Sequence, residues 1–330
     1  MNRLLTRSLS DPQTTLTLDA NGWTALLTIA KAERLAGSLA LRLEGLAIPT
    51  EAKRVLSAAL ANAETGRMHA LWEAEMAFRA LGPLDVPVVL LKGTAFVAAG
   101  LDAGRGRLIG DLDILVPRPN LDRVEGALLA AGWEWVKPDP YDDDYYRRWM
   151  HELPPLIHCD RDRMIDVHHT ILPLTARPTP DADALIADSQ PLPNGLRVLM
   201  PADMVVHAAA HLFADGDLAG GLRNLWDIDR LLREFASTGF WESLDTAAMR
   251  HGLRRETMRA LRLSADLFGT PIPPTAKRAS DRLYIARLTA RDGWGCETRP
   301  FLRLAFYVRS HWLRMPPLML ARHLWTKWRK

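Results

Sequence analysis

Cysteine is nearly absent: two residues in 330, Cys159 and Cys296, permit at most one bridge, and a chain of this length buries a core that needs none. A reducing compartment is expected. No stretch of about 18 uncharged apolar residues occurs, which argues against a membrane-spanning helix. The opening MNRLLTRSLSDPQTTLTL has no apolar run of secretory-signal type, so a cytoplasmic location is expected. Acidic residues are missing after Glu297, whereas Arg299, Arg303, Arg309, Arg314, Arg322, Lys327, Arg329 and Lys330 all follow it. The net charge of +3 therefore conceals a remainder near −5, 34 basic residues against 39 acidic. The basic pI is a property of the tail. With 48% hydrophobic and 25% charged residues the composition is globular, and disorder, collagen and coiled coil fall away. The length suits two domains, or one with a substantial helical appendage.

Residues 21–81 place apolar side chains at helical spacing (Trp23, Leu26, Leu27, Ala30, then Leu56, Ala59, Leu60, Ala63), with Pro49 between two blocks; this reads as a helical leader. After Gly82-Pro83 the run Val86 to Leu91 has the β-branched character of a buried strand and breaks at Lys92-Gly93. A short helix from Thr94 to Ala99 and a loop from Gly100 to Gly110 follow. Asp111 to Val116 reads as a second strand, Pro119 to Ala131 as a helix stopped by Gly132, and Trp133–Val136 as a third strand. Pro138 to Met150, rich in Asp and Tyr, reads as a loop. Leu156–Cys159 and Met164–His168 form a hairpin turning at Asp160 to Arg163. From Pro201 the text is helical: 202–213, 221–235, 240–251 and 254–267.

The chemistry concentrates in Leu91-Lys92-Gly93-Thr94, Gly110-Asp111-Leu112-Asp113-Ile114-Leu115-Val116 and Ile165-Asp166-Val167-His168. Side chains two apart on a strand share a face. Asp111 and Asp113 therefore converge, and two carboxylates on one site stay ionised cheaply only around a cation; hard oxygen donors select Mg²⁺ or Mn²⁺. Gly93-Thr94 opens a helix, where free N–H groups and the dipole favour phosphate. Lys92, Arg105 and Arg107 can add charge to a triphosphate site, although Lys92 also fits a snorkelling surface lysine. Asp166 supplies a third carboxylate if its strand lies beside that of Asp111, and alternation puts His168 on the same face. Three acids and a phosphate-holding turn are the parts of metal-assisted nucleotidyl transfer.

This ordered pattern resembles the polymerase-β-like nucleotidyltransferase superfamily. More narrowly, Leu-Lys-Gly at 91–93, Arg107, Asp-Leu-Asp at 111–113, Ile-Asp-Val-His at 165–168 and His207, His211, Trp226 and Asp227 resemble the bacterial "nucleotidyltransferase family protein" group. The resemblance, over roughly residues 80–235, implies an α+β fold: a small mixed sheet flanked by helices, with N-terminal and C-terminal helical regions. The expected divisions are 1–81 helical, 82–200 nucleotidyltransferase-like core, 201–298 helical and 299–330 basic aromatic tail. It implies Asp111, Asp113 and Asp166 as catalytic metal ligands for two Mg²⁺ ions, with Mn²⁺ as a substitute. Asp166 either bridges to the metal or takes the acceptor's proton. Lys92, Gly93, Thr94, Arg107 and His168 are implied as contacts to an NTP co-substrate. NMP, with AMP among the options, passes to a hydroxyl or phosphate acceptor on a small molecule, peptide, protein or RNA, releasing pyrophosphate.

Other features stay open. His207 and His211 have zinc-compatible i, i+4 spacing but no Glu after the first His, so two packed, hydrogen-bonded histidines are the expectation. Asp227 and Asp229, near Arg223 and Arg230, suit salt-bridged surface positions, with Asp227 a minor site candidate. The tail interleaves Phe301, Phe306, Tyr307, Trp312, Trp325 and Trp328 with its cations. It suits docking over the cleft, peripheral contact with an anionic membrane, or RNA; Pro316-Pro317 breaks any single long helix. The 18 residues from Gly93 to Asp111 exceed the superfamily's habit, which motivates a second reading: an inactive nucleotidyltransferase-fold module binding membrane, RNA or protein through that tail.

Overall fold

In the computed structural model, residues 3–137, 140–237 and 239–314 are described. The N-terminal layer holds α1 (Leu4–Ser10), α2 (Ala20–Ala32), α3 (Ala36–Arg42) and α4 (Thr50–Leu81). Asp19 caps α2 by accepting from the Gly22 N–H. The 32-residue α4 buries small residues at helical spacing, Ala63, Gly66, Ala70, Ala74 and Ala77, so neighbouring backbones approach it closely.

The middle of the chain supplies β1 (Val89–Leu90), α5 (Lys92–Ala98), β2 (Leu112–Leu115), α6 (Leu121–Ala130), β3 (Trp133–Trp135), α7 (Pro140–Trp149), β4 (Leu156–His158) and β5 (Met164–His168), then α8 (Ala182–Ala187), β6 (Gln190–Pro191) and β7 (Arg197–Val198). The seven strands form one sheet in the order β3-β4-β5-β2-β1-β7-β6. It is mixed: β2 runs parallel to β5 and β1 to β7, and the other pairs are antiparallel. Leu112, Ile114, Ile165 and Val167 are buried; they occupy the alternate positions to Asp113, Asp166 and His168, so one strand face serves the core and the other presents polar groups. The expected architecture, an α+β fold with a small mixed sheet between helical regions, is what the structure has.

The C-terminal helices are α9 (Pro201–Ala210), continued by a π-helical turn at His211–Asp215, α10 (Gly221–Phe235), α11 (Phe240–Arg250), α12 (Arg254–Phe268), α13 (Asp281–Leu288) and α14 (Pro300–Arg314). The two ends of the sequence meet: Arg3 bonds Asp266 of α12 at 2.6 Å, Thr28 of α2 donates to the Gly293 carbonyl at 2.8 Å, and buried Glu33 holds Arg291 at 2.6 Å.

Two expectations need correction. The segment expected as an acidic loop at 138–150 is largely helix α7, stabilised by i, i+4 pairs Asp143–Arg147 and Asp144–Arg148 and by Arg147 reaching Glu125 of α6 at 2.9 Å; like-charge composition concealed pairs one turn apart. Asp227 and Asp229 are not surface residues but 2% and 0% exposed. Asp229 is enclosed by Arg230, Arg233 and Thr270. Of the tail, α14 docks through Phe306, Ser310 and His311; Pro316-Pro317, Trp325, Trp328 and the rest of 315–330 lie outside the described residues.

Candidate active site

The site is built where β2 and β5 lie parallel. Their register sets Asp113 opposite Asp166 and Leu115 opposite His168, while Asp111 stands just before β2. Ligand oxygens of Asp111, Asp113 and Asp166 all lie within 4.8 Å of one another. Asp111 is exposed, Asp166 half-buried and Asp113 only 3% exposed. The donor set is all carboxylate oxygen, the chemistry that a divalent metal such as Mg²⁺ or Mn²⁺ takes.

The free chain offsets this negative charge with its own cation. Lys92 Nζ donates to Asp113 Oδ1 at 2.6 Å, and His168 Nε2 lies 3.0 Å from the same oxygen. Burial opposes ionisation of Asp113, but Lys92 and His168 hold its carboxyl well below the usual carboxylate range. Burial likewise opposes charge on Lys92, yet the Asp113 carboxylate keeps the ammonium above its ordinary range. Asp166 lacks such a partner: burial first, then the charges of Asp113 and Glu152, raise it to about 7. Lys92 reaches Asp113 from a backbone at φ 49°, a left-handed conformation costly for a side-chain-bearing residue.

A cleft of about 490 Å³ opens over Asp111 and Asp113, lined among others by Lys92, Gly93, Arg107, Arg223, Asn224 and Arg291. Arg34 also lines it, so the N-terminal helices and the segment after α13 both contribute to its walls. Asp227 of α10 orients two of these cations: it takes Arg107 Nη1 at 3.0 Å and Arg223 Nε at 2.9 Å. Arg223 is further fixed by Ser38 at 2.7 Å. Gly93 leaves room for Arg107, because a Cβ there would lie 2.6 Å from Arg107 Nε. Gly37 and Gly106 touch backbone to backbone, a Cβ on Gly37 falling 2.5 Å from the Gly106 carbonyl oxygen; this pins the loop carrying Arg107 to α3.

The fit at Gly93 leads to a measurable outcome. In Gly93→Ala the new methyl displaces a guanidinium rather than backbone, so the fold should survive with a loss of about 1 kcal/mol, on the scale of a small steric insertion. The Arg107 position should pay instead. Isothermal titration with an NTP analogue and Mg²⁺ should read binding roughly threefold to tenfold weaker, one lost charge-assisted contact; unchanged affinity would show that Arg107 does not meet the ligand.

Residues 19–269 match the model of a family described as an uncharacterised nucleotidyltransferase. The chain belongs to this family. No curated protein and no solved structure matches it. Within this nucleotidyltransferase family member, Asp111, Asp113, Lys92, Gly93 and Arg107 are brought to one cleft, and Asp166 stands beside the two aspartates without being among the cleft-lining residues. Thr94 is not at its surface: it is 1% exposed and its hydroxyl has no hydrogen-bond partner. His168, also 1% exposed, reaches the site only through Asp113. His211 lines the cleft from the π-helical turn, with its imidazole lowered to about 3 by burial and the nearby Lys92 charge; among the described residues neither it nor His207 belongs to a group suited to a metal. Sequence reading missed Arg34, Arg223, Asn224 and Arg291 in the cleft wall, and His151 and Glu152 behind His168. For Arg223 and Asn224 a signal existed, since both stand within a turn of Asp227 on one helix; for Arg34 and Arg291, far away in sequence, none did. No helix among the described residues is long and apolar enough to cross a membrane.

Proposed function

We propose that this chain is an NTP-dependent nucleotidyltransferase of the polymerase-β-like superfamily, within its bacterial "nucleotidyltransferase family protein" group. It would move NMP, AMP among the options, onto a hydroxyl or phosphate acceptor carried by a small molecule, peptide, protein or RNA. The observation that carries this reading is the convergence of Asp111, Asp113 and Asp166, the first two of which line a cleft walled by arginines. Asp111, Asp113 and Asp166 would hold two Mg²⁺ ions, which when bound neutralise polyphosphate charge and acidify the acceptor hydroxyl. Arg107 and Arg223, held by Asp227, face the cleft as oriented donors for phosphate oxygens. Lys92 serves as the counter-ion of Asp113 in the free chain and is within reach of a phosphate once that carboxylate is otherwise neutralised. The acceptor oxygen attacks the α-phosphorus, the bond to the bridging oxygen breaks, pyrophosphate leaves, and the acceptor's proton passes to a carboxylate, Asp166 in this assignment. Most of the rate enhancement is positioning and electrostatics.

A thermal-shift titration with ATP, GTP, CTP and UTP, each with and without Mg²⁺, tests the reading. At about 100 times its dissociation constant a nucleotide adds roughly 2.7 kcal/mol to the folded state. A Mg²⁺-dependent shift with one of the four names the donor; silence with all four removes the enzyme reading.

One observation favours an additional, peripheral contact with anionic membrane through residues 299–330. Helix α14 leaves Phe301, Leu304, Val308 and Trp312 exposed at helical spacing, in a stretch of sequence without acids. Cosedimentation with anionic but not neutral vesicles is the expected result, lost on deletion of 299–330; equal capture by neutral vesicles, or none, would exclude it.

A further inference from the structure

Behind the aspartates lies a second group of ligating side chains. His151 and Glu152 precede β4, and backbone bonds hold their segment against β5: Leu153 N–H donates to Val167 O at 2.9 Å and His169 N–H to His151 O at 2.9 Å. His151, Glu152 and His168 thereby face one another, with one ligand atom from each inside a 4.8 Å span.

The distances suit a shared ion better than mutual hydrogen bonds. Glu152 Oε2 lies 3.4 Å from His168 Nδ1 and 3.6 Å from His151 Nε2. Buried His168 Nδ1 has no hydrogen-bond partner despite that proximity, so lone pair and carboxylate are not aimed at each other. Zinc with nitrogen and oxygen ligands at about 2.0–2.2 Å in a tetrahedron separates neighbouring ligand atoms by about 3.3–3.6 Å. The opposite ring nitrogen of His168 is engaged by Asp113 at 3.0 Å; a carboxylate on the far nitrogen of an imidazole is the usual support of a metal-bound histidine. Both imidazoles are buried, His151 at 8% and His168 at 1% exposure, and the Glu152 side chain at 19% gives the site an opening to solvent.

We propose that His151, Glu152 and His168 form a site for one divalent transition metal, zinc in the first place, with a fourth position left to water. It is distinct from the Asp111–Asp113–Asp166 group, being nitrogen-rich, and it is linked to that group through the His168 ring. Its role is to fix that ring and so the orientation of Asp113.

The test uses the full chain, loaded with ZnCl₂, passed through gel filtration and assayed for metal by mass spectrometry. One equivalent should remain in the wild type and in Asp111→Asn. It should also remain in Cys159→Ser, which removes the thiol of the separate His158–Cys159–Asp160 group. His151→Ala and Glu152→Gln should bind at least roughly 100-fold more weakly in competition with a chelator, beyond the loss seen for outer-shell changes. Circular dichroism of each variant separates lost ligation from lost folding. As a readout needing no variant, Co²⁺-loaded wild type should give the visible absorption of a tetrahedral, imidazole-bearing site. Absence of retained zinc in the wild type, an octahedral Co²⁺ spectrum, or loss in Cys159→Ser alone would overturn the proposal. None of these readouts involves nucleotide, so they are independent of the proposed transfer activity.

Discussion

Asp111→Asn should abolish nucleotidyl transfer while leaving the protein as stable as the wild type, whereas Asp113→Asn should lose both. The two residues share a strand face but not an environment. Asp111 is exposed, so in the proposed role as metal ligand its replacement would remove a charge worth several kcal/mol in a transition state, a rate loss of at least about 10³-fold, with no folded-state partner left stranded. Asp113 is buried beneath Lys92 and His168. Its neutral variant leaves the Lys92 ammonium without its hydrogen-bonded anion, and breaking such a pair from one side costs about 3 kcal/mol, the low end of the range because Lys92 is 23% exposed and Asp111 and Glu152 stay near it. Chemical denaturation and a pyrophosphate-release assay on both variants decide the matter. Equal destabilisation would refute the division of roles, and residual turnover in Asp111→Asn near wild type would remove it from the machinery.

The second expectation is that the Asp166 carboxyl contributes more to the stability of the metal-free protein at pH 5 than at pH 8. It acts in opposition to the imidazoles of His151, His169, His207 and His211, whose lowered values favour the folded state at the higher pH. This carboxyl titrates near 7 in the folded chain against an ordinary 3.8. Between those values the native state binds the proton and the unfolded state does not, so the contribution of Asp166 to stability falls as pH rises from about 4 to 7 and is flat above. Asp166→Asn should therefore stabilise the metal-free chain at pH 8 by about 2 kcal/mol, a figure discounted from the full shift because solvent reaches a half-buried group, and leave it unchanged at pH 3. The same proton opposes a divalent ion, since a ligand must be ionised. Calorimetric Mg²⁺ affinity in the presence of an NTP analogue should be roughly tenfold weaker at pH 6 than at pH 8, the ratio of ionised fractions for a group titrating near 7. A pH-independent affinity would place Asp166 outside the ion's reach.

What could be read in advance was governed by local periodicity. Asp111-Leu112-Asp113 and Ile165-Asp166-Val167-His168 announce strands whose polar face is separate from their core face, and parallel pairing of two such strands makes the acidic group. The helices at 202–213, 221–235, 240–251 and 254–267 follow from amphipathic spacing and lie within a few residues of the observed bounds. The short strands β6 and β7 carry no alternation long enough to read. Helix α7 was hidden by its composition. Burial of Asp227 was illegible for a different reason: an acid near arginines on a helix looks the same whether water or Arg107 lies beyond it, and Arg107 arrives from a distant loop. The cleft contributions of Arg34 and Arg291 depend wholly on tertiary placement.

The pairing of the chain's two ends bears on how the protein is made. Helices α1 and α2 leave the ribosome early, yet their ties are to Asp266, Gly293 and Arg291, which are among the later residues synthesised. During translation the leader must therefore wait with part of its apolar face uncovered, exposed to chaperones and proteases, until the C-terminal helices emerge. Arg34 belongs to that waiting segment, so the cleft is complete only once Arg291 has emerged. A nascent core cannot acquire its full cleft wall before Arg291 is made.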